Sequence, residues 1–73
     1  MNYKDFEQFE LTPEDFAVDI INIKEFDNVY KKAVRVSIPQ LNIGVDSWSK
    51  KSQIKNKERC MSILFSIVKD IFN

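Results

Sequence analysis

The chain has no histidine, a single cysteine (Cys60), one glycine (Gly44) and two prolines among its 73 residues. Each scarcity closes off some chemistry. Without histidine the commonest general base and metal ligand is missing, and one thiol can neither form an intrachain disulfide nor complete a Cys/His zinc site. A lone glycine provides no glycine-rich loop to cradle phosphates, so no cofactor and no metal are expected. Long apolar runs are missing too. The C-terminal stretch CMSILFSIV is too short and too interrupted by serine to cross a bilayer. The acidic opening MNYKDFEQFE has no signal-peptide core. A cytoplasmic protein without membrane attachment is therefore expected.

What is present suits one small folded domain. Hydrophobic residues make up 44% and aromatics 12%, enough for a compact core but near the lower size limit at which a core outweighs chain entropy. The formal net charge is zero, yet its distribution is uneven. Residues 1–28 carry two lysines against eight acids, whereas residues 29–73 carry nine cations against three acids (Asp46, Glu58, Asp70). The second half is a candidate polyanion face.

The pattern of apolar residues orders the elements. Residues 1–13 read as an acidic arm with Phe6, Phe9 and Leu11 as anchors, and Thr12-Pro13-Glu14-Asp15 has the form of a capped turn. A folded unit is expected over 14–73. FAVDIINI, residues 16–23, reads as a strand because β-branched residues dominate it. Lys24 to Lys32 reads as a polar connection turning at Asp27-Asn28. AVRVSI follows as a second strand, with Val34, Val36 and Ile38 on one face and Arg35 and Ser37 on the other. IGVDSW, residues 43–48, reads as a third strand, with Trp48 in the core at its end.

From Ser49 or Ser52 onward the period becomes helical, with Ile54, Met61, Leu64, Phe65, Val68 and Phe72 as one stripe. A second line, Cys60, Ile63, Ile67 and Ile71, is wider than a three-stranded sheet needs. Homodimerisation through the C-terminal helix would bury the surplus. The expected fold is α+β: a three-stranded antiparallel sheet packed by one long C-terminal helix, preceded by a short N-terminal arm.

The helix start is unusual in charge. KKSQIKNKER, residues 50–59, holds five cations against one acid, at the helix end where the backbone dipole already favours anions. Phosphate contact through Lys50, Lys51, Lys55, Lys57 and Arg59 would resolve that conflict. The plain alternative is a solvated lysine-rich surface. Gln53 and Asn56 could cap or brace the neighbouring hairpin. Trp48 could stack on a base, and Lys31 and Lys32 beside Tyr30 could reach RNA or simply line a surface turn. The carboxylates of the arm, Glu7, Glu10, Glu14 and Asp15, show no spacing that marks an acid/base pair.

AVRVS followed by SQIKNKERCMSIL resembles the catalytic domain of class I peptide chain release factors and related peptidyl-tRNA hydrolases. In that family a strand with a Val-Arg pair leads through a hairpin to a Ser-Gln-x-x-Asn-Lys/Arg segment that opens the last helix. Here Val34-Arg35 and Ser52-Gln53-Ile54-Lys55-Asn56-Lys57 hold those places, and Glu14-Asp15-Phe16-Ala17-Val18-Asp19 is similar to the family's first strand. The resemblance covers roughly residues 14–68. It implies contact with RNA or the ribosome by Lys50, Lys51, Gln53, Lys55, Asn56, Lys57 and Arg59 at the helix start, and by Lys31, Lys32 and Arg35 on the hairpin.

The family's Gly-Gly-Gln tripeptide, which promotes ester hydrolysis from the loop between the first two strands, has no counterpart in IINIKEFDNVYKK. Paired glycines allow backbone conformations closed to other residues and so aim an N–H at a developing oxyanion. The sequence thus points to a release-factor-like protein without hydrolase chemistry that binds ribosome or RNA and modulates termination or rescue. Two alternatives stand beside it. One is a protein-binding module or inhibitor, phage-encoded for instance, acting through the acidic arm and the apolar helix. The other is a residual hydrolase working near Asp27-Asn28.

Overall fold

The computed structural model describes residues 1–48 and 52–73. Three strands, β1 (Ala17–Phe26), β2 (Val29–Ile38) and β3 (Ile43–Ser47), form an antiparallel sheet in that order, and one helix, α1 (Gln53–Phe72), follows. The architecture is α+β, with α1 packed on β2 and β3.

Alternation on β2 decides which face is covered. Val34, Val36 and Ile38 are fully buried on the helix side. The register sets Ser47, Val45 and Ile43 of β3 beside them. Opposite β2 on the other edge, Val18 and Ile20 of β1 share that face but remain 42% and 57% exposed, because α1 sits over β2 and β3. From the helix come Cys60, Met61, Leu64 and Val68, all buried. Cys60 lies across two strands, its thiol donating to the carbonyls of Val34 at 3.4 Å and Val45 at 3.5 Å.

The N-terminal segment closes the core on the flank of α1. Tyr3–Phe9 is a 3-10 helix with Asn2 and Asp5 forming a capping box. Phe6 is fully buried, with edge-on ring contacts to Phe9, Phe16 and Phe65. Leu11 is buried as well. Thr12 and Asp15 cap a second 3-10 turn, Pro13–Asp15, in the place where the sequence suggests a capped turn. The segment 1–13 thus contributes two side chains to the same core as the sheet and helix.

Three readings of the sequence require correction. The polar stretch from Lys24 to Lys32 is mostly strand: β1 runs to Phe26, β2 starts at Val29, and only Asp27-Asn28 turn between them. Asn28 takes the left-handed conformation, φ 63°, which asparagine tolerates. An extra residue on β1, Glu25, separates the pairs Lys24–Tyr30 and Phe26–Val29. This distal half of the hairpin is solvated on both faces, so its strands need no apolar alternation. The molecule measures 42 × 22 × 20 Å, long because a ten-residue strand spans about 33 Å. Trp48 is not core but 46% exposed. Ile54 and Phe72, at the ends of the helical stripe, are 72% and 53% exposed, since the stretch of sheet that α1 covers, Val34–Ile38 with the five-residue β3, is shorter than the helix. Among the described residues no helix is long and apolar enough to cross a membrane.

Candidate nucleic-acid interface

The helix start is fixed to the sheet by a small polar network. Ser52 caps α1, its hydroxyl accepting from the Lys55 N–H at 3.5 Å. One turn on, Asn56 is 1% exposed. Its Oδ1 accepts from the Ser47 hydroxyl at 3.2 Å and its Nδ2 donates to Gln53 Oε1 at 2.9 Å. Ser47 is itself 3% exposed, the last inward-facing position of β3. Two polar groups buried together satisfy each other, which is the condition for burying them at modest cost. The bracing role thus falls to Gln53 and Asn56, and Asn56 is turned inward.

The cations around this mount point in different directions. Lys55 is exposed. Lys57 lies with its ammonium 4.9 Å from the centroid of the Tyr3 ring, a cation–π distance. Arg59 is exposed on the opposite flank, lining a shallow pocket with Asp46, Ser47, Trp48 and Ile63. Lys50 and Lys51 lie outside the described residues. No acid occupies the first turn of α1, where Lys55 is exposed, so among the described residues of that turn the helix dipole meets a cation and no acid.

On the hairpin, Arg35 is held on the outer face of the sheet by a two-pronged contact to Asp46, Nε to Oδ1 at 2.7 Å and Nη2 to Oδ2 at 3.0 Å. The hydrogen bond and the charge of Asp46 raise the guanidinium pKa above its ordinary value. Lys31 pairs with Glu25 at 2.9 Å, and Lys32 is exposed opposite Asn22. Of the three hairpin cations, Arg35 and Lys31 are thus held by acids of the sheet and Lys32 is exposed.

Two participants escape a reading of the sequence. Ser47 is legible only as the polar residue in the alternating series Ile43, Val45, Ser47, an inward position that demands a partner. Tyr3, the ring beneath Lys57, is brought there by the fold of the arm and has no local sequence signal. Among the described residues no cluster of three or more potential metal-ligating side chains occurs. Comparison of the chain with protein-family models, curated proteins and solved structures finds no match in any of the three.

Proposed function

We propose that the protein is a release-factor-like module without hydrolase chemistry that binds RNA phosphates, with the ribosome as their source, through the start of α1. The observation that supports this reading is the mount itself. Ser52, Gln53 and Asn56 spend their side chains on capping and bracing, which leaves Lys55 and Lys57 of the same motif, with Lys50 and Lys51 before it, to meet a ligand. A rigidly held helix start presents its N–H groups and dipole without an ordering cost on binding. Arg35 is already neutralised by Asp46 and Arg59 stands on the other flank, so neither is needed for this contact.

Co-sedimentation with ribosomes over a salt series tests the proposal. The wild type should pellet at low salt, and a variant with Lys50, Lys51, Lys55 and Lys57 changed to Ala should not. Each phosphate left without its lysine should lower the salt slope by about one. Arg35→Ala should pellet like the wild type. If the wild type stays in the supernatant at low salt, the reading fails. A second reading, a protein-binding module, draws support from the hairpin end, where Phe26 is 70% and Tyr30 58% exposed. It would be favoured by that same failure.

A further inference from the structure

The flank of α1 that faces away from the N-terminal arm carries a pattern that matches itself when reversed. Arg59, Ile63, Ile67 and Asp70 follow at spacings of four, four and three, so they share one helical face. Arg59 and Asp70 are exposed, Ile63 is 36% exposed and Ile67 half-buried. None of the four forms an ion pair or side-chain hydrogen bond among the described residues. Trp48, 46% exposed, stands beside this line, sharing a pocket with Arg59 and Ile63.

We infer that this face is a two-fold interface between copies of the chain, formed by antiparallel packing of α1 on α1. The centre of Arg59 and Asp70 falls between Leu64 and Phe65, and the centre of Ile63 and Ile67 falls on Phe65, so one axis serves both pairs. About that axis Arg59 meets Asp70 of the second copy, Ile63 meets Ile67, and both exchanges occur twice, as a closed two-fold contact requires. Trp48, next to Ile63, comes over the second copy's Ile67 and supplies the large aromatic body that anchors small interfaces. Equal numbers of opposite charges at the ends and isoleucines between them fit a copy of this chain. A partner of uniform charge would leave one end of each helix repelled. The interface does not involve Lys55 or Lys57 and is independent of RNA binding.

Sedimentation equilibrium of the full chain, over a range of about a hundredfold in concentration, should show the average mass rising from that of one chain toward that of two. Ile63→Asp should abolish the rise. Arg59→Glu and Asp70→Arg should each weaken association about tenfold or more, and the two together should restore it to within about threefold of the wild type. Circular dichroism and thermal unfolding at the lowest concentration establish that each variant is folded. Should Ile63→Asp unfold, the charge exchange decides alone, because both of its residues are exposed. A wild type monomeric throughout the range overturns the inference. So does a dimer that the charge reversals leave unchanged, or one that the double exchange does not restore.

Discussion

Replacing Asn56 with Ala should be the most damaging polar substitution in the protein. Asn56 accepts the hydrogen bond of the Ser47 hydroxyl, and both residues are almost wholly out of water. Truncation leaves that hydroxyl without its acceptor, at a cost of about 1–3 kcal/mol. It also opens a small cavity between β3 and α1, so a total of about 2–3 kcal/mol is expected. A domain of this length has ~4–11 kcal/mol of stability to lose. The urea midpoint should therefore fall by about 2–3 M, taking a slope of about 1 kcal/mol/M for a chain this small.

A double-mutant cycle makes the reasoning specific. Ser47→Ala removes the donor together with its need for a partner, so the combined variant should be less destabilised than the sum of the two singles, by about 1 kcal/mol. Urea unfolding followed by tryptophan fluorescence gives all four midpoints. A loss below about 0.5 kcal/mol for Asn56→Ala, or strict additivity with Ser47→Ala, would refute the claim that this pair locks the helix to the sheet.

Other expectations follow from the same packing. Phe6→Ala should cost about 3–5 kcal/mol, since the ring is fully buried among three other aromatics; a near-neutral result in thermal unfolding would show the arm to be dispensable. Asn28→Ala should destabilise by about 1 kcal/mol, and Asn28→Gly should not, because only glycine matches asparagine's ease at φ 63°; equal melting temperatures for the two would contradict this. Burial pushes the Cys60 thiol above its ordinary pKa. The unfolded chain then ionises first, so the stability this group contributes is full below about pH 8.5 and falls as pH rises through the folded value. The difference in urea midpoint between wild type and Cys60→Ala should shrink correspondingly in alkali, and an unchanging difference would dispose of the linkage.

The covered part of the molecule is readable in the sequence and the solvated part is not. Val34, Val36 and Ile38 alternate because one side of β2 meets α1 and the other meets water, and Met61, Leu64 and Val68 recur at helical spacing for the same reason. Beyond Ala33 no layer of the described residues covers the hairpin, and residues 24–32 are exposed, so Lys24, Lys31 and Lys32 occupy strand positions without penalty and resemble loop. Size alone argues for Trp48 in the core, but the position after Ser47 lies past the end of the ladder. At the candidate site, Ser52, Gln53 and Asn56 are legible as caps and braces because those side chains bond locally. What local reasoning does not provide is the partner across the sheet, Ser47, or which flank of α1 the arm and β3 cover; that Lys57 and Arg59 lie on opposite flanks follows already from their spacing of two on the helix.

The form of the hairpin also bears on whether the chain could cleave an ester, the residual-hydrolase alternative that its sequence leaves open. Such chemistry requires a backbone N–H free of ladder bonds and aimed at the oxygen that gains charge. Here the strands run to Phe26 and resume at Val29, so the connection is only Asp27 and Asn28, with Glu25 bulged on β1 beside it. Asn28 is already committed to the left-handed conformation that closes the turn, and Asp27 presents a fully exposed carboxylate, with the Lys24 ammonium 3.9 Å away. A carboxylate beside a developing oxyanion raises its energy instead of lowering it. Without the paired glycines that would aim a donor at that oxygen, and with an acid in the turn, about a hundredfold to a thousandfold in rate is forfeited. Peptidyl-tRNA incubated with the protein should therefore release its peptide no faster than in buffer. Saturable hydrolysis that disappears in Asp27→Ala or Asn28→Ala would show that this turn can supply what its backbone geometry argues it lacks.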